Sequence, residues 1–168
     1  PAIDYIRSHG MAQGYPDGSF RPEHPINRAE MVKILVGSSA DMSQGSCFRD
    51  VGAEWCAPYV CSARVRGMVS GYPDATFRPD RPVSFVEAAA LVVRQYKGDM
   101  TPQQGEWYMP YAQMLQEWKA VPPTVQRMDA PITRGEMAHI LWKAEIAHSG
   151  SQSVADDRGT AASYVVGA

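Results

Sequence analysis

The sequence predicts an all-α fold: one pseudo-threefold helical domain made from three copies of a helix–loop–helix unit. Three observations predict it. The chain repeats itself, with Pro1 aligned to Pro58 and no gap through to Val36 and Val93, and a third, worn copy follows. Each copy carries a helix-capping signature at the same place: Asn27, Ser84 and Thr133, each with Glu three residues later and Pro two residues earlier. The segment behind each cap is apolar at helical spacing. No copy could bury its apolar side alone, so the three must share a core.

The first copy opens with a helix over residues 2–9, ended by Gly10 where a C′ glycine stops a helix. Gly14-Tyr15-Pro16-Asp17-Gly18 is a tight turn, in which Pro16 supplies the fixed φ of a type I turn and Gly18 is free to take a positive φ. Phe20, in the short extended piece that follows, reads as a loop anchor in the core. Asn27 caps a helix over 28–36, with Val32, Leu35 and Val36 on one face and Ile26 and Met31 placed for a hydrophobic staple.

The second copy repeats the plan. A helix over 57–66 ends at Gly67, the turn is Gly71-Tyr72-Pro73-Asp74 with Ala75 in place of Gly18, and Phe77-Arg78-Pro79 follows. Ser84 caps a helix over 85–96, which is apolar nearly all round from Ala88 to Val93 and is predicted to be the most buried. The third copy has a helix over 110–118, then Lys119 in place of the stop glycine and Pro122-Pro123-Thr124-Val125 in place of the turn. Thr133 caps a helix over 134–147 with Met137, Ile140, Leu141 and Ala144 as its stripe. Trp55 and Trp107 read as core positions at helix starts; Trp118 and Trp142 read as core or surface. The units run 1–47, 48–98 and 99–148, with a tail or linker over 149–168.

Hydrophobic residues make up 45% of the chain and charged residues 20%, ordinary values for a globular protein. A net charge of −2 lacks the basic excess of a nucleic-acid binder. No apolar run is long enough to cross a bilayer. The start at Pro1, with no signal peptide in view, suits a processed chain or a fragment. Cys47, Cys56 and Cys61 are odd in number and have no second cluster to complete a zinc site. Cys56 and Cys61 point in different directions on one helix. Either Cys47 pairs with one of them and leaves a free thiol, or all three are small buried hydrophobes. His9, His24, His139 and His148 are scattered, Glu136 and His139 form a lone Glu-x-x-His, and no nucleophile elbow or phosphate loop is present. The residues point to a non-enzyme with no catalytic set, metal or cofactor.

Tyr15-Pro16-Asp17-Gly18-Ser19-Phe20-Arg21-Pro22, followed by Pro25-Ile26-Asn27-Arg28-Ala29-Glu30, resembles the hallmark of the S-layer homology family. Phe48-Arg49-Asp50-Val51 with Trp55 is similar to the opening of one of its repeats. The resemblance covers residues 1–147 as three tandem repeats. It implies a three-pronged spindle around a central helical bundle, in a protein that is extracellular and tethered non-covalently to the bacterial cell surface or cell wall. The partner it implies is a secondary cell-wall polysaccharide, acidic and often pyruvylated, held in grooves between repeats and bound by the motif arginine. That assigns Arg28 and Arg134, with Glu30 and the turn residues Gly14, Asp17, Gly71 and Asp74 around them. Ser84-Phe85-Val86-Glu87 has no arginine, so at least one groove is expected to be dead or altered.

The residues alone leave two readings of Arg28 and Arg134. A cation at the first helical position opposes the helix dipole and costs roughly 0.3–1 kcal/mol when exposed, so local helix stability does not explain it. Beside the free N–H groups of a helix start, an arginine fork makes a carboxylate site. In the other reading Arg28 bridges to Asp17 or Glu30 and braces loop on helix. Asp17 and Asp74 either serve the turn through bonds to the backbone or meet a ligand. Tyr15 and Tyr72 either pack beneath the loop or stack on a sugar.

The first copy has no counterpart of residues 47–57, which leaves an apolar patch to be covered. Val154-Ala155-Asp156-Asp157 faintly echoes Phe48-Arg49-Asp50-Val51. The tail over 149–168 therefore either fills that place, in the same molecule or in a neighbour, or is a plain linker. Filling it in a neighbour would make the chain a self-associating assembly module rather than a polysaccharide anchor.

Overall fold

The computed structural model describes residues 1–37, 46–102 and 104–161, the stretch from 150 onward as backbone only. Three of its helices begin where their capping boxes place them. The side chain of Asn27 accepts from the Glu30 N–H at 2.8 Å, and Glu30 Oε2 accepts from the Asn27 N–H at 3.1 Å. The same reciprocal pair forms between Ser84 and Glu87 and between Thr133 and Glu136. These caps open α2 (Arg28–Val36), α4 (Phe85–Lys97) and α6 (Arg134–Ala161). The other three helices are α1 (Ala2–Ser8), α3 (Ala57–Val65) and α5 (Met109–Glu117). Pro58 and Pro110 stand in the first turns of α3 and α5, where proline is favoured. Among the described residues the only β pairing is isolated bridges, and the chain is all-α.

The segments before the caps are stitched to one another. Ile26 N–H donates to Ile132 O at 3.1 Å, Ile132 N–H to Val83 O at 2.9 Å, and Val83 N–H to Ile26 O at 3.0 Å. All three side chains are buried. A triangle of backbone bonds thus joins the segments that lead into α2, α4 and α6. α2 then packs on α3, α4 on α5 and α6 on α1, while α4 touches both α2 and α6. α2 and α4 are each covered by the helix that follows in the chain, and α6 is covered by α1. α4 is buried from Phe85 to Val93 apart from Glu87, as its apolar run predicts. The anchors Phe20 and Phe77 are buried too.

The turns form as the sequence implies. Gly18 N–H bonds to Tyr15 O and Ala75 N–H to Tyr72 O, each at 2.9 Å. Gly18 has φ 81° and Ala75 has φ 63°, so the second turn keeps its shape with a Cβ in the left-handed region.

Three expectations are corrected or resolved. Trp55 and Trp107 are 56% and 46% exposed rather than core. Both precede their helices, and Trp55 projects beside Lys33 and Tyr59. Trp118 and Trp142 are half-buried against the core. α6 does not end at 147 but runs to Ala161, because no proline interrupts residues 134–161. The first part of the expected tail is therefore helix, and residues 162–168 lie outside the described residues. Cys47 pairs with Cys61 in a disulfide with Cα atoms 5.4 Å apart, and Cys56 is a buried free thiol.

Candidate functional site

A cleft of about 550 Å³ opens between α2, residues 10–16 and the start of α3. Glu30, Lys33 and Ile34 line it from one face of α2, as residues three and four apart do. Trp55 and Tyr59 also line it, as does the buried Arg134 at the start of α6. Of the binding residues that the resemblance assigns, this cleft brings together Gly14, Glu30 and Arg134, with Tyr15 beside them.

Arg134 is 6% exposed. Its Nε donates to Phe20 O at 3.0 Å and its Nη2 to Gln13 O at 3.3 Å. Its Nη1 lies 4.0 Å from Glu30 Oε1, too far for a hydrogen bond. The guanidinium sits 4.9 Å from the ring centres of both Tyr15 and Phe20. Arg28 does the same work one unit further on. Its Nε donates to Phe77 O at 2.8 Å, its Nη1 lies 3.9 Å from Glu87, and it packs over the Phe77 and Tyr72 rings. Burial pulls the Arg28 guanidinium below its usual pKa, against the raising influence of Tyr72 and Glu87.

Two sequence readings change here. Arg28 bridges to neither Asp17 nor Glu30; each arginine reaches the loop of the following unit, and Arg134 closes onto the first. The reason is that each helix start faces a neighbour's loop rather than its own. The three capped helix starts also offer no free N–H groups in their first turn. The first two in α2 donate to Arg81 O and Pro79 O, those in α4 to Ala130 O and Met128 O, and those in α6 to His24 O and Pro22 O. Positive charge in the cleft therefore comes from the Arg134 and Lys33 side chains.

The remaining candidates stand in the loops. Asp17 accepts from Ser19 Oγ at 2.5 Å, Arg21 Nη2 at 2.9 Å and Ser19 N–H at 2.9 Å, which holds its carboxyl well below the ordinary range. Asp74 accepts from Thr76 Oγ1 at 2.6 Å, Thr76 N–H at 3.1 Å and Arg78 Nη2 at 3.2 Å, and its pKa falls to about 2. Both serve the turn. Gly71, at φ 75°, has no room for a Cβ, which would collide with the Phe48 ring and lie 2.8 Å from Thr76 O. At Gly14 a Cβ would lie 2.5 Å from Ser19 O. Tyr15 and Tyr72 are half-buried beneath arginines, with Arg21 4.0 Å over the first ring and Arg78 3.9 Å over the second.

Sequence reasoning missed Lys33, Trp55 and Tyr59. The available signal for Lys33 was its three-residue spacing from Glu30 on α2. Lys33 Nζ lies 5.4 Å from the Trp55 ring and 5.7 Å from the Tyr59 ring, within cation–π range. Two smaller clefts also open. One of about 390 Å³ lies between Trp55 and the Arg78–Arg81 loop, and one of about 310 Å³ lies beside Glu136 and His139. Burial, together with Lys143, lowers the His139 pKa. Among the described residues no three His, Cys, Asp or Glu side chains are grouped to hold a metal ion, and no helix is long and apolar enough to cross a membrane.

The family described as the S-layer homology domain matches residues 1–32 and 48–89. A cellulosome-anchoring protein of Acetivibrio thermocellus is 32% identical over 100 residues, 55% of this chain and 22% of that protein. A surface layer protein of Brevibacillus choshinensis is 32% identical over 99 residues, 55% of this chain and 9% of that protein. An uncharacterized cell wall amidase of Bacillus anthracis is 24% identical over 119 residues, 63% of this chain and 22% of that protein. The chain thus spans no more than 22% of the length of these relatives.

Proposed function

The chain belongs to the S-layer homology family through residues 1–32 and 48–89, and from that premise we propose that it is a non-catalytic anchoring module whose α2 cleft grips an acidic secondary cell-wall polysaccharide. Its place is the bacterial cell surface or cell wall. In this reading residues 99–148 are a third, worn repeat, and the three units form a pseudo-threefold spindle. The observation that carries the reading is the composition of the cleft. Arg134 and Lys33 set two cations against the single carboxylate of Glu30, and Trp55 and Tyr59 supply aromatic faces for a sugar ring. A pyruvyl or uronic carboxylate would face Arg134 Nη1 and Lys33, and the sugar would lie against Trp55.

The test is calorimetric titration with purified secondary cell-wall polysaccharide. Lys33→Ala and Trp55→Ala touch exposed side chains and leave the fold intact. Each is expected to weaken binding by about tenfold, the scale of one lost cation–π or aromatic contact. Full affinity in the double variant would refute the site.

A further inference from the structure

We propose that the corresponding cleft of the second unit is filled by the chain's own Arg94 and Arg81, so that the protein offers one open site of this design and not two. The inference rests on the reading above for its ligand, but the geometry stands without it.

The two clefts start from the same plan. Arg134 holds Phe20 O in the first and Arg28 holds Phe77 O in the second, with Tyr15 and Tyr72, and Glu30 and Glu87, in matching positions. They part at three places set by the repeat register. Gly37 in the first cleft matches Arg94 in the second, Lys33 matches Ala90, and His24 matches Arg81.

At Gly37 an added Cβ would meet nothing within 4 Å among the described residues, so none of these closes that side of the first cleft. Arg94 instead sends its side chain across the second. Its Nε donates to Asp99 at 2.9 Å, its Nη1 reaches Met68 O at 3.5 Å, and its guanidinium lies 5.0 Å from the Tyr111 ring centre. The counterparts of Met68 and Tyr111 are Met11 and Tyr59, and both line the open cleft. Arg94 therefore spans the space that no described residue fills in the first unit. At the other end Arg81 Nη1 donates to Glu87 at 2.7 Å and to the Tyr72 hydroxyl. Glu30, the counterpart of Glu87, has only the 4.0 Å approach of Arg134 as an ionic partner among the described residues. With Ala90 in place of Lys33, the second cleft also has no cation at that position of its helix, and its added arginines are taken up by Asp99 and Glu87.

Two measurements test this, and the first needs no saccharide. A thiol-specific reagent is applied to Met11→Cys and Met68→Cys; the native Cys56 is buried. Met11→Cys is expected to react at least about tenfold faster, and Arg94→Gly is expected to remove most of the protection of Met68→Cys. Equal rates in the two single variants would overturn the proposal. The second measurement is calorimetric stoichiometry with a short acidic fragment of the wall polysaccharide. One fragment per chain is expected, bound at least about tenfold more weakly in Lys33→Ala/Trp55→Ala. Two per chain in the unaltered protein would overturn the single-site proposal while leaving the anchoring function standing. No binding at all, alongside the expected labelling, would overturn the anchoring function and leave the filled cleft standing.

Discussion

Arg134 Nε donates to the carbonyl of Phe20 at 3.0 Å, joining the start of the last helix to the first loop across 114 residues of sequence. A cation is a poor choice for the first position of a helix. It stands there because its fork reaches two carbonyls of another unit, those of Phe20 and Gln13, and leaves one nitrogen facing the cleft.

Arg134→Ala strands both carbonyls and removes a buried cation from beside Glu30. It is expected to lower the unfolding free energy by about 3 kcal/mol in urea titration. Arg134→Lys keeps the charge but loses the fork and recovers less than half of that. A loss below about 1 kcal/mol for the alanine variant would rule out the brace.

The second turn is expected to gain from the glycine that the first one has. Ala75 sits at φ 63°, so Ala75→Gly should raise stability by about 1 kcal/mol, less the entropy that glycine adds to the unfolded chain. Gly71→Ala drives a Cβ into the Phe48 ring and should cost more than about 2 kcal/mol. Thermal melts of the two variants should move in opposite directions.

The Cys47–Cys61 disulfide closes a 14-residue separation. Replacing both with alanine is expected to cost about 3 kcal/mol on the chain-entropy account. Cys56 is buried, and its burial raises the thiol pKa. Thiol titration of the native protein should find no fast-reacting group, and unfolding without reductant should release one.

Acid should weaken the loops first. Asp17 and Asp74 are held below the ordinary carboxylate range by Ser19 and Thr76 and by their arginines. Asp50 is lowered as well: burial acts against its charge, but the N–H bonds from Phe77 and Arg78, each 2.7 Å, outweigh it. A carboxylate whose folded pKa is depressed contributes stability above its unfolded value, and that stability is lost as pH falls through the folded value. The melting temperature should therefore hold above about pH 4 and drop between about pH 4 and pH 2, where Asp74 takes up its proton. Asp50→Asn should flatten part of that drop. An unchanged profile in Asp50→Asn would remove Asp50 from the account.

The helices were legible because their signals are local. Asn27 with Glu30, Ser84 with Glu87, and Thr133 with Glu136 can be read within four residues, and all three capping boxes form. The site was less legible because it is assembled across units. Nothing near Arg134 announces that its partner is the turn at Gly14, since the pairing depends on α6 closing against α1. Trp55 misled because a tryptophan just before a helix looks like core. Only the course of the chain into α3 shows that its ring stands at the edge of a cleft.

Pulled from its ends, the chain should yield as the Ile26–Ile132–Val83 triangle dictates. No unit can peel away without tearing bonds to both of the others, so stretching a single molecule should give one abrupt rupture instead of a staircase. In the proposed anchoring role, a pull on the chain would be borne by the whole body at once, with no part yielding before the rest.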